Sequence, residues 1–210
     1  NYIYLARFQD SQPRLQPGER LRIINVGRQF SGKDQRPLIQ ALRDIDAELT
    51  LVGTGPLRGA LEAAARDAGV VERVRFIDAV PNAQLPDVFS GHHVFAMNIL
   101  QPGISMTVME AMALGFPVVI NRPRWEATPE VCGACARVVA GGAPGFASAF
   151  GEFLADPDLV ARQGKLSRSV IEAYSGEEME QREVALITEL LGSRQKLSDV
   201  NVDSRRESRG

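Results

Sequence analysis

Two glycines and two cations lie close together where the first apolar segment of the chain ends. Gly27 and Arg28 follow that segment directly, and Gly32 and Lys33 each come five residues later. Glycine lets a backbone approach a ligand closely, and a guanidinium with an ammonium can clamp a diphosphate through charge-assisted hydrogen bonds, each worth about 1.5–3 kcal/mol. This loop is therefore the best phosphate-binding candidate, with two ordinary surface cations as the alternative interpretation.

A second anion-binding candidate precedes the most apolar helical segment. Gly103, Ile104 and Ser105 lead into that segment, and serine is a common helix-capping residue. The free backbone N–H groups there, with the positive end of the helix dipole, predict a site for an anion. Glu110 lies further along the same helix among apolar residues, so it needs a polar partner if it is buried. Either a ribose diol or a neighbouring loop would satisfy it.

Two other patterns have weaker functional interpretations. The Gly-Thr-Gly turn at 53–55 lacks the third glycine of a dinucleotide-binding fingerprint and is interpreted first as a strand-to-helix turn. Cys132 and Cys135 form a C-x2-C pair, but a zinc site needs two further ligands, and the only histidines, His92 and His93, are adjacent. We therefore expect no metal site and no catalytic triad.

An α/β framework is needed to bring these residues together. Apolar, β-rich segments at 22–26, 48–52, 74–77, 93–97, 117–120 and 137–139 alternate with amphipathic helical segments, which predicts parallel strands. Right-handed crossovers then give a Rossmann-like, doubly wound parallel sheet, with its ligand crevice at the carboxyl ends of the strands. Both candidate anion sites follow strands at that edge.

The 210-residue length and 44% hydrophobic content favour a single domain. Residues 1–20 are predicted as a linker or packed extension, 21–191 as the ligand-binding domain, and 192–210, which hold few large apolar residues, as a flexible tail. The net charge of -2 argues against a nucleic-acid partner. No apolar run reaches the roughly 20 residues of a membrane span, and no signal peptide is visible before Asn1. With only two cysteines, a cytoplasmic location is expected.

Taken in order, the motifs resemble the donor-binding domain of glycosyltransferase family 4, retaining enzymes of GT-B architecture. Three segments carry the resemblance: 24–28 with Lys33 is similar to V-G-R-x4-K, 51–56 to L-V-G-x-G-P, and 109–118 to L-E-A-M-A-x-G-x-P-V. Weaker similarity lies at 129–131 (P-E-V), at 156–157 (D-P) and, to an interdomain segment N-G-V-D-x-x-R-F, at 1–8. The resemblance covers about residues 1–191.

The resemblance implies a role for each candidate residue. Arg28 and Lys33 would bind the diphosphate of a nucleotide sugar and stabilise it as it leaves, Glu110 would bind the ribose, and Gly27 and the backbone at 103–105 would contact the phosphate or the sugar. It also implies retained anomeric configuration, no cofactor and no metal ion. The chain corresponds to the carboxyl-terminal half of a GT-B enzyme. We therefore expect a missing amino-terminal acceptor-binding domain, no transfer by this domain alone, and an acceptor that could be a peripheral membrane component.

Two positions depart from the family pattern, and two other functions stay open. The family places a second glutamate eight residues before the ribose-binding one, but that position is Pro102, beside which Gln101 offers a neutral contact. Asp78 stands where the family more often has glycine. Because of Pro102, a non-catalytic nucleotide-binding or interaction module with a decayed sugar site is an alternative. A nicotinamide-dependent dehydrogenase also fits the fold class but would need a complete G-x-G-x-x-G.

Overall fold

The computed structural model describes residues 3–103, 105–122 and 136–207, with residues 192–207 as backbone only. Its strands are β1 Leu21–Val26, β2 Ala47–Val52, β3 Val74–Ile77, β4 Val94–Met97, β5 Val118–Asn121 and β6 Ala136–Val139. All pair in parallel in the order β3-β2-β1-β4-β5-β6. Each strand lies within one residue of its predicted bounds, so the predicted doubly wound parallel sheet is confirmed.

Helices connect the strands and cover both faces of the sheet. In the described part of the chain they are α1 Arg36–Ala41, α2 Arg58–Asp67, α3 Leu85–Phe89, α4 Met106–Ala113, α5 Gly142–Ala155, α6 Asp158–Glu172 and α7 Gly176–Glu207. Helices α1, α2 and α5 bury their apolar residues against one face, and α3 and α4 bury theirs against the other.

Strand β1 shows why this sequence forms the centre of such a sheet. Leu21 and Ile23 belong to the apolar layer under α1, α2 and α5, whereas Ile24 and Val26 belong to the layer under α3 and α4. A strand covered on both faces needs apolar residues on both, which produces a nearly continuous apolar run rather than alternation. The loops at its carboxyl end are therefore held by two packed layers.

Two glycines allow the turn after β2 to pack against the turn after β1. A Cβ atom at Gly53 would lie 2.3 Å from the Gly27 carbonyl oxygen, and one at Gly55 would lie 2.2 Å from the Gln29 carbonyl oxygen. Gly53 also has a φ of 132°, which residues with a side chain rarely adopt. The glycine spacing at 53–55 therefore has the architectural meaning predicted for it, and it brings two loops together at one edge.

The amino-terminal segment lies against the domain. Ile3 and Leu15 are buried, the Ser11 N–H donates to the Leu114 carbonyl over 2.9 Å, and the Gly176 N–H donates to the Ile3 carbonyl over 2.8 Å. Residues 3–15 thereby contact both the end of α4 and the start of α7.

Helix α7 continues through residues predicted as a flexible tail. The sequence predicts that the tail begins at residue 192, whereas in the structure α7 extends to Glu207. Helical hydrogen bonds are made within the segment, so they do not themselves require apolar area to be buried. The part of α7 before residue 192 exposes five large apolar side chains, those of Val184, Leu186, Ile187, Leu190 and Leu191. Within the described residues, neither α7 nor any other helix has the length and apolar character needed to cross a bilayer.

Candidate functional site

A cavity of about 370 Å³ opens at the carboxyl edge of the sheet, beside the loops that follow β1, β2 and β3. Three of the predicted site residues, Gly27, Arg28 and Glu110, line it. The rest of its wall comes from Val26, Val52, Gly53, Thr54, Gly55, Ala79, Val80, Asn82, Leu85 and Thr107. The wall is thus largely apolar with a few polar groups, which is typical of small-molecule sites.

Arg28 is the exposed cation of this cavity. Its guanidinium lies over the Phe30 ring, 5.7 Å from the ring centroid, and forms no ion pair with any described residue. The loop that carries it is held in place beyond the strand, because the Leu100 N–H donates to the Gly32 carbonyl over 2.9 Å. Arg28 therefore presents an unpaired positive charge from an anchored loop.

Lys33 lies just beyond the cavity wall formed by Gly27. Its Nζ donates a hydrogen bond to the Ser105 hydroxyl over 3.2 Å, and a Cβ atom at Gly27 would lie 3.7 Å from the same Nζ. Burial lowers the pKa of Lys33, while the charge of Glu110 acts in the opposite direction. In the described part of the chain, the ammonium therefore hydrogen-bonds to a neutral hydroxyl and keeps its charge available for an anion.

Glu110 is a buried carboxylate on α4, only 8% exposed. Burial raises its pKa, and the charges of Arg7 and Lys33 lower it. A second cavity, of about 430 Å³, shares Glu110 and Asn82 with the first and is lined on its other side by Arg7. The carboxylate makes no hydrogen bond or ion pair with any described residue, so a ligand in either cavity could be its partner.

The second predicted anion site is only partly at the cavity. Gly103 is exposed and does not line it, and Ile104 lies outside the described residues, as do Cys132, Cys135 and residues 129–131. Ser105 directly precedes α4 in an extended conformation, but its side chain makes no capping hydrogen bond. Its hydroxyl instead lies 3.0 Å from the Thr107 hydroxyl and accepts the hydrogen bond from Lys33. The structure thus gathers Gly27, Arg28, Lys33, Ser105 and Glu110, whose ligand-binding roles stay predictions.

Several wall residues were not singled out from the sequence. Thr54 follows β2 and Val80 follows β3, so their position at the carboxyl ends of strands was a usable signal. For Thr54, interpreting residues 53–55 as a turn set that signal aside. Thr107 lies on the same helix as Glu110. Arg7 and Asn82 gave no such signal, because their place at the site depends on how distant segments pack.

The two histidines lie at the opposite, amino edge of the sheet. His92 Nε2 lies 2.9 Å from the Thr50 hydroxyl, and His93 Nδ1 accepts the Arg22 backbone N–H over 3.0 Å. Among the described residues, no group of three or more His, Cys, Asp or Glu side chains is placed to hold a metal ion. His92 and His93 therefore have partners within the sheet, in β2 and β1 respectively.

Sequence comparison identifies related proteins. The family model for glycosyl transferases group 1 matches residues 20–156. A GDP-mannose-dependent alpha-(1-6)-phosphatidylinositol monomannoside mannosyltransferase of Mycolicibacterium smegmatis is 32% identical over 72% of this chain and 43% of its own length. A 2-deoxystreptamine glucosyltransferase of Streptomyces kanamyceticus is 33% identical over 44% of this chain and 25% of its own. The chain spans less than half the length of these curated relatives.

Solved structures show the same fold. Anabaena HepE, in complex with UDP and glucose, matches 90% of this chain and 56% of its own at a TM-score of 0.76 and 17% identity. The C-terminal domain of a glycosyl transferase group 1 family protein from Francisella tularensis matches 83% of this chain and 99% of its own at a TM-score of 0.70 and 16% identity. The sheet and its helices are thus those of the carboxyl-terminal domains of GT-B glycosyltransferases.

Proposed function

The chain belongs to the glycosyl transferases group 1 family, and we propose that it is the donor-binding domain of a retaining glycosyltransferase that uses a nucleotide-diphosphate sugar. One observation carries this proposal: Arg28, Lys33 and Glu110 meet at one edge of the sheet, and none forms an ion pair of 4 Å or less with a described residue. The adjoining cavity of about 370 Å³ is within the size range of ligand pockets. Unpaired charges at a cavity of this size favour an ionic ligand.

The two cations would act on the leaving group. As the bond between sugar and phosphate breaks, negative charge accumulates on the diphosphate, and preorganised positive side chains lower the energy of that state. Because Arg28 and Lys33 supply this charge, the proposal requires no metal ion and no other cofactor. Gly27 and the backbone at 103–105 would contact the phosphate or the sugar.

Glu110 would hold the nucleoside. Two ribose hydroxyls can donate hydrogen bonds to one carboxylate, and these bonds would offset the cost of burying its charge. Burial raises the pKa of Glu110, and the charges of Arg7 and Lys33 offset part of that rise, which favours the ionised form that accepts both bonds. We assign Glu110 to the ribose because its carboxylate is buried at the cavity without a described partner.

GDP-mannose is the first donor to test, because the relative that covers 72% of this chain is named as dependent on it. The same relative is named for a phosphatidylinositol mannoside acceptor, so a membrane-associated acceptor reached from the cytoplasm is the corresponding second proposal. A separate amino-terminal domain would carry the acceptor site. This chain alone would then bind donor without transferring its sugar.

Calorimetry tests the donor site directly. We expect at least one of GDP, UDP and ADP to bind the chain, and the double variant Arg28→Ala/Lys33→Ala to bind at least about 100-fold more weakly, since each charge-assisted bond is worth about 1.5–3 kcal/mol. Arg43→Ala, which removes an exposed cation away from the cavity, is the matched control. Equal affinity of the wild type and the double variant, or no binding of any of the three nucleotides, would contradict the proposal.

A non-catalytic nucleotide-binding module is the second candidate function. Pro102 stands exposed on the loop before α4 at a position where a carboxylate could have contacted the sugar. Sugar dependence separates the two functions. If GDP binds as tightly as GDP-mannose, and the protein joined to its amino-terminal domain neither transfers nor hydrolyses any nucleotide sugar, the non-catalytic module is correct.

A further inference from the structure

Gln29 joins the loop after β1 to the turn after β2. Its Nε2 donates a hydrogen bond to the Gly53 carbonyl over 2.7 Å, and its backbone N–H donates to the Thr54 carbonyl over 3.0 Å. Its own carbonyl accepts the Leu57 N–H over 3.0 Å. Only the first of these bonds depends on the glutamine side chain, because any residue other than proline could make the other two.

This side chain is buried at a cost. Gln29 is 1% exposed, and its Oε1 is buried without a hydrogen-bond partner in the described part of the chain. A buried carbonyl without a partner costs about 1–3 kcal/mol, so an apolar side chain of similar length would serve packing alone better. What the glutamine adds is the hydrogen bond from Nε2 to the Gly53 carbonyl.

That hydrogen bond orients the peptide group between Gly53 and Thr54. The described chain has no cis peptide bond, and the C=O and N–H of a trans peptide point in opposite directions. Because the Gly53 carbonyl points towards the buried Gln29 amide, the Thr54 N–H points away from it. Thr54 is exposed and lines the cavity, and its N–H donates to no described residue.

We propose that Gln29 is a positioning residue that presents the Thr54 backbone N–H to an acceptor oxygen of the bound nucleotide. The inference rests on the proposed nucleotide site and adds an uncharged donor to it. Gln29 does not line the cavity and acts through the turn at 53–55. Rotation of this peptide group would turn a carbonyl towards the ligand instead, so the side chain determines the polarity of this part of the wall.

Gln29→Met tests the proposal, because methionine keeps the length of the side chain but cannot donate a hydrogen bond. Asn25→Leu is the matched control: Asn25 is also 1% exposed and its Nδ2 donates over the same 2.7 Å, but its acceptor, the Ala96 carbonyl, belongs to a residue that does not line the cavity, whereas Gly53 does. With whichever of GDP, UDP and ADP the wild type binds most tightly, calorimetry should show about five- to tenfold weaker binding for Gln29→Met. Asn25→Leu should bind as the wild type does.

NMR observes the proposed donor itself. In wild-type protein labelled with 15N-threonine, the Thr54 N–H resonance should move downfield when the nucleotide is added, and it should move less in Gln29→Met. Separate titrations with guanosine and with inorganic pyrophosphate assign the acceptor oxygen to the nucleoside or to the phosphates. The wild-type spectrum suffices if Gln29→Met does not fold.

The outcomes separate this proposal from the nucleotide site on which it rests. A Thr54 resonance that stays in place while the nucleotide binds, or equal affinities of the wild type and folded Gln29→Met, overturns the role of Gln29 and leaves the nucleotide site standing. An equal loss of affinity in Asn25→Leu also overturns it, since the effect is then general. If no nucleotide binds the wild type, the proposed function fails and this proposal with it.

Discussion

The two edges of the parallel sheet hold similar charged residues in opposite states. At the amino edge, Arg20 contacts Asp46 at 2.7 Å and Glu48 at 3.1 Å, and Arg22 contacts Glu19 at 2.7 Å. At the carboxyl edge, Arg28 lies over an aromatic ring and Lys33 reaches a hydroxyl. The arginines at the amino edge are paired within the protein, whereas Arg28 and Lys33 at the carboxyl edge form no ion pair with a described residue.

The difference shows which charges carry functional information. The paired Arg20 is explained by the fold, because its partners Asp46 and Glu48 lie at the start of the neighbouring strand β2. A buried carboxylate without a partner, such as Glu110, is not explained by stability, since burial disfavours its charge. The contrast between the edges therefore marks the site more specifically than the number of charged residues does, and three substitutions test it.

The largest expected effect on the free energy of unfolding comes from His93 at the amino edge and depends on pH. Burial, with a smaller contribution from the Arg22 charge, lowers the pKa of His93 to about 4 from its ordinary 6.5. As the pH falls from 6.5 to 4, the unfolded chain takes up a proton at His93 that the folded chain does not, so the free energy of unfolding decreases by on the order of 3 kcal/mol.

Urea unfolding at pH 7 and pH 4 measures this effect in the wild type and in His93→Gln. The loss of stability between the two pH values should be smaller in His93→Gln by about that amount, with His92 present in both proteins. Equal losses of stability in the two proteins would show that His93 is not held in its neutral form by the folded protein.

At the carboxyl edge, we expect a substitution at the site to stabilise the protein. Glu110→Gln replaces a buried unpaired carboxylate with a neutral amide, which should raise the free energy of unfolding by on the order of 1 kcal/mol at pH 7. Because burial raises the pKa of Glu110, the bound proton stabilises the folded chain below the ordinary pKa of glutamate, and this contribution is lost as the pH rises through the raised pKa. The gain in the variant should therefore shrink towards pH 4.

The same variant should bind nucleotide less well, although it is more stable. Urea unfolding gives the stability, and calorimetry with a nucleoside diphosphate and with inorganic pyrophosphate gives the affinities. Weaker binding of the nucleotide with unchanged binding of pyrophosphate is the expected pattern. A Glu110→Gln protein that is less stable and binds normally would remove the contrast between the edges.

The smallest expected effect is that of Arg20→Ala. It removes two ion pairs, but the Arg20 side chain is 46% exposed, and exposed pairs contribute about 0–1 kcal/mol. We expect a loss of less than about 1 kcal/mol in urea unfolding and no change in nucleotide affinity. A clear loss of affinity would show that the amino edge also influences the site.

The fold was predictable because its signals are local. The apolar run of β1 and the helical spacing of apolar residues each lie within about ten residues, and they indicate strand and helix without knowledge of the partner. That Gly27, Arg28 and Glu110 lie at one cavity could be predicted for a related reason. Parallel strands place their carboxyl ends at one edge, so residues after different strands come together.

Other features of the site could not be predicted, because they depend on contacts between distant segments. The hydrogen bond of Gln29 to Gly53 requires the β1 and β2 register in which Val26 pairs with Val52. Arg7 reaches the second cavity only because the amino-terminal segment packs beside α4. Neither the type nor the local spacing of these residues carries that information.

The central place of β1 also affects how the protein is made. Its pairing with β4 joins Arg22 to His93, which are 71 residues apart in the chain, and pairings of such long range are formed slowly. At a synthesis rate of about 5–20 residues per second, β1 has to wait roughly 4–14 s for this neighbour to leave the ribosome. Glu110 comes later still, so the wall of the ligand cavity is incomplete until α4 has also been synthesised. During that interval the apolar strands are without partners, and strands in this state are prone to aggregate.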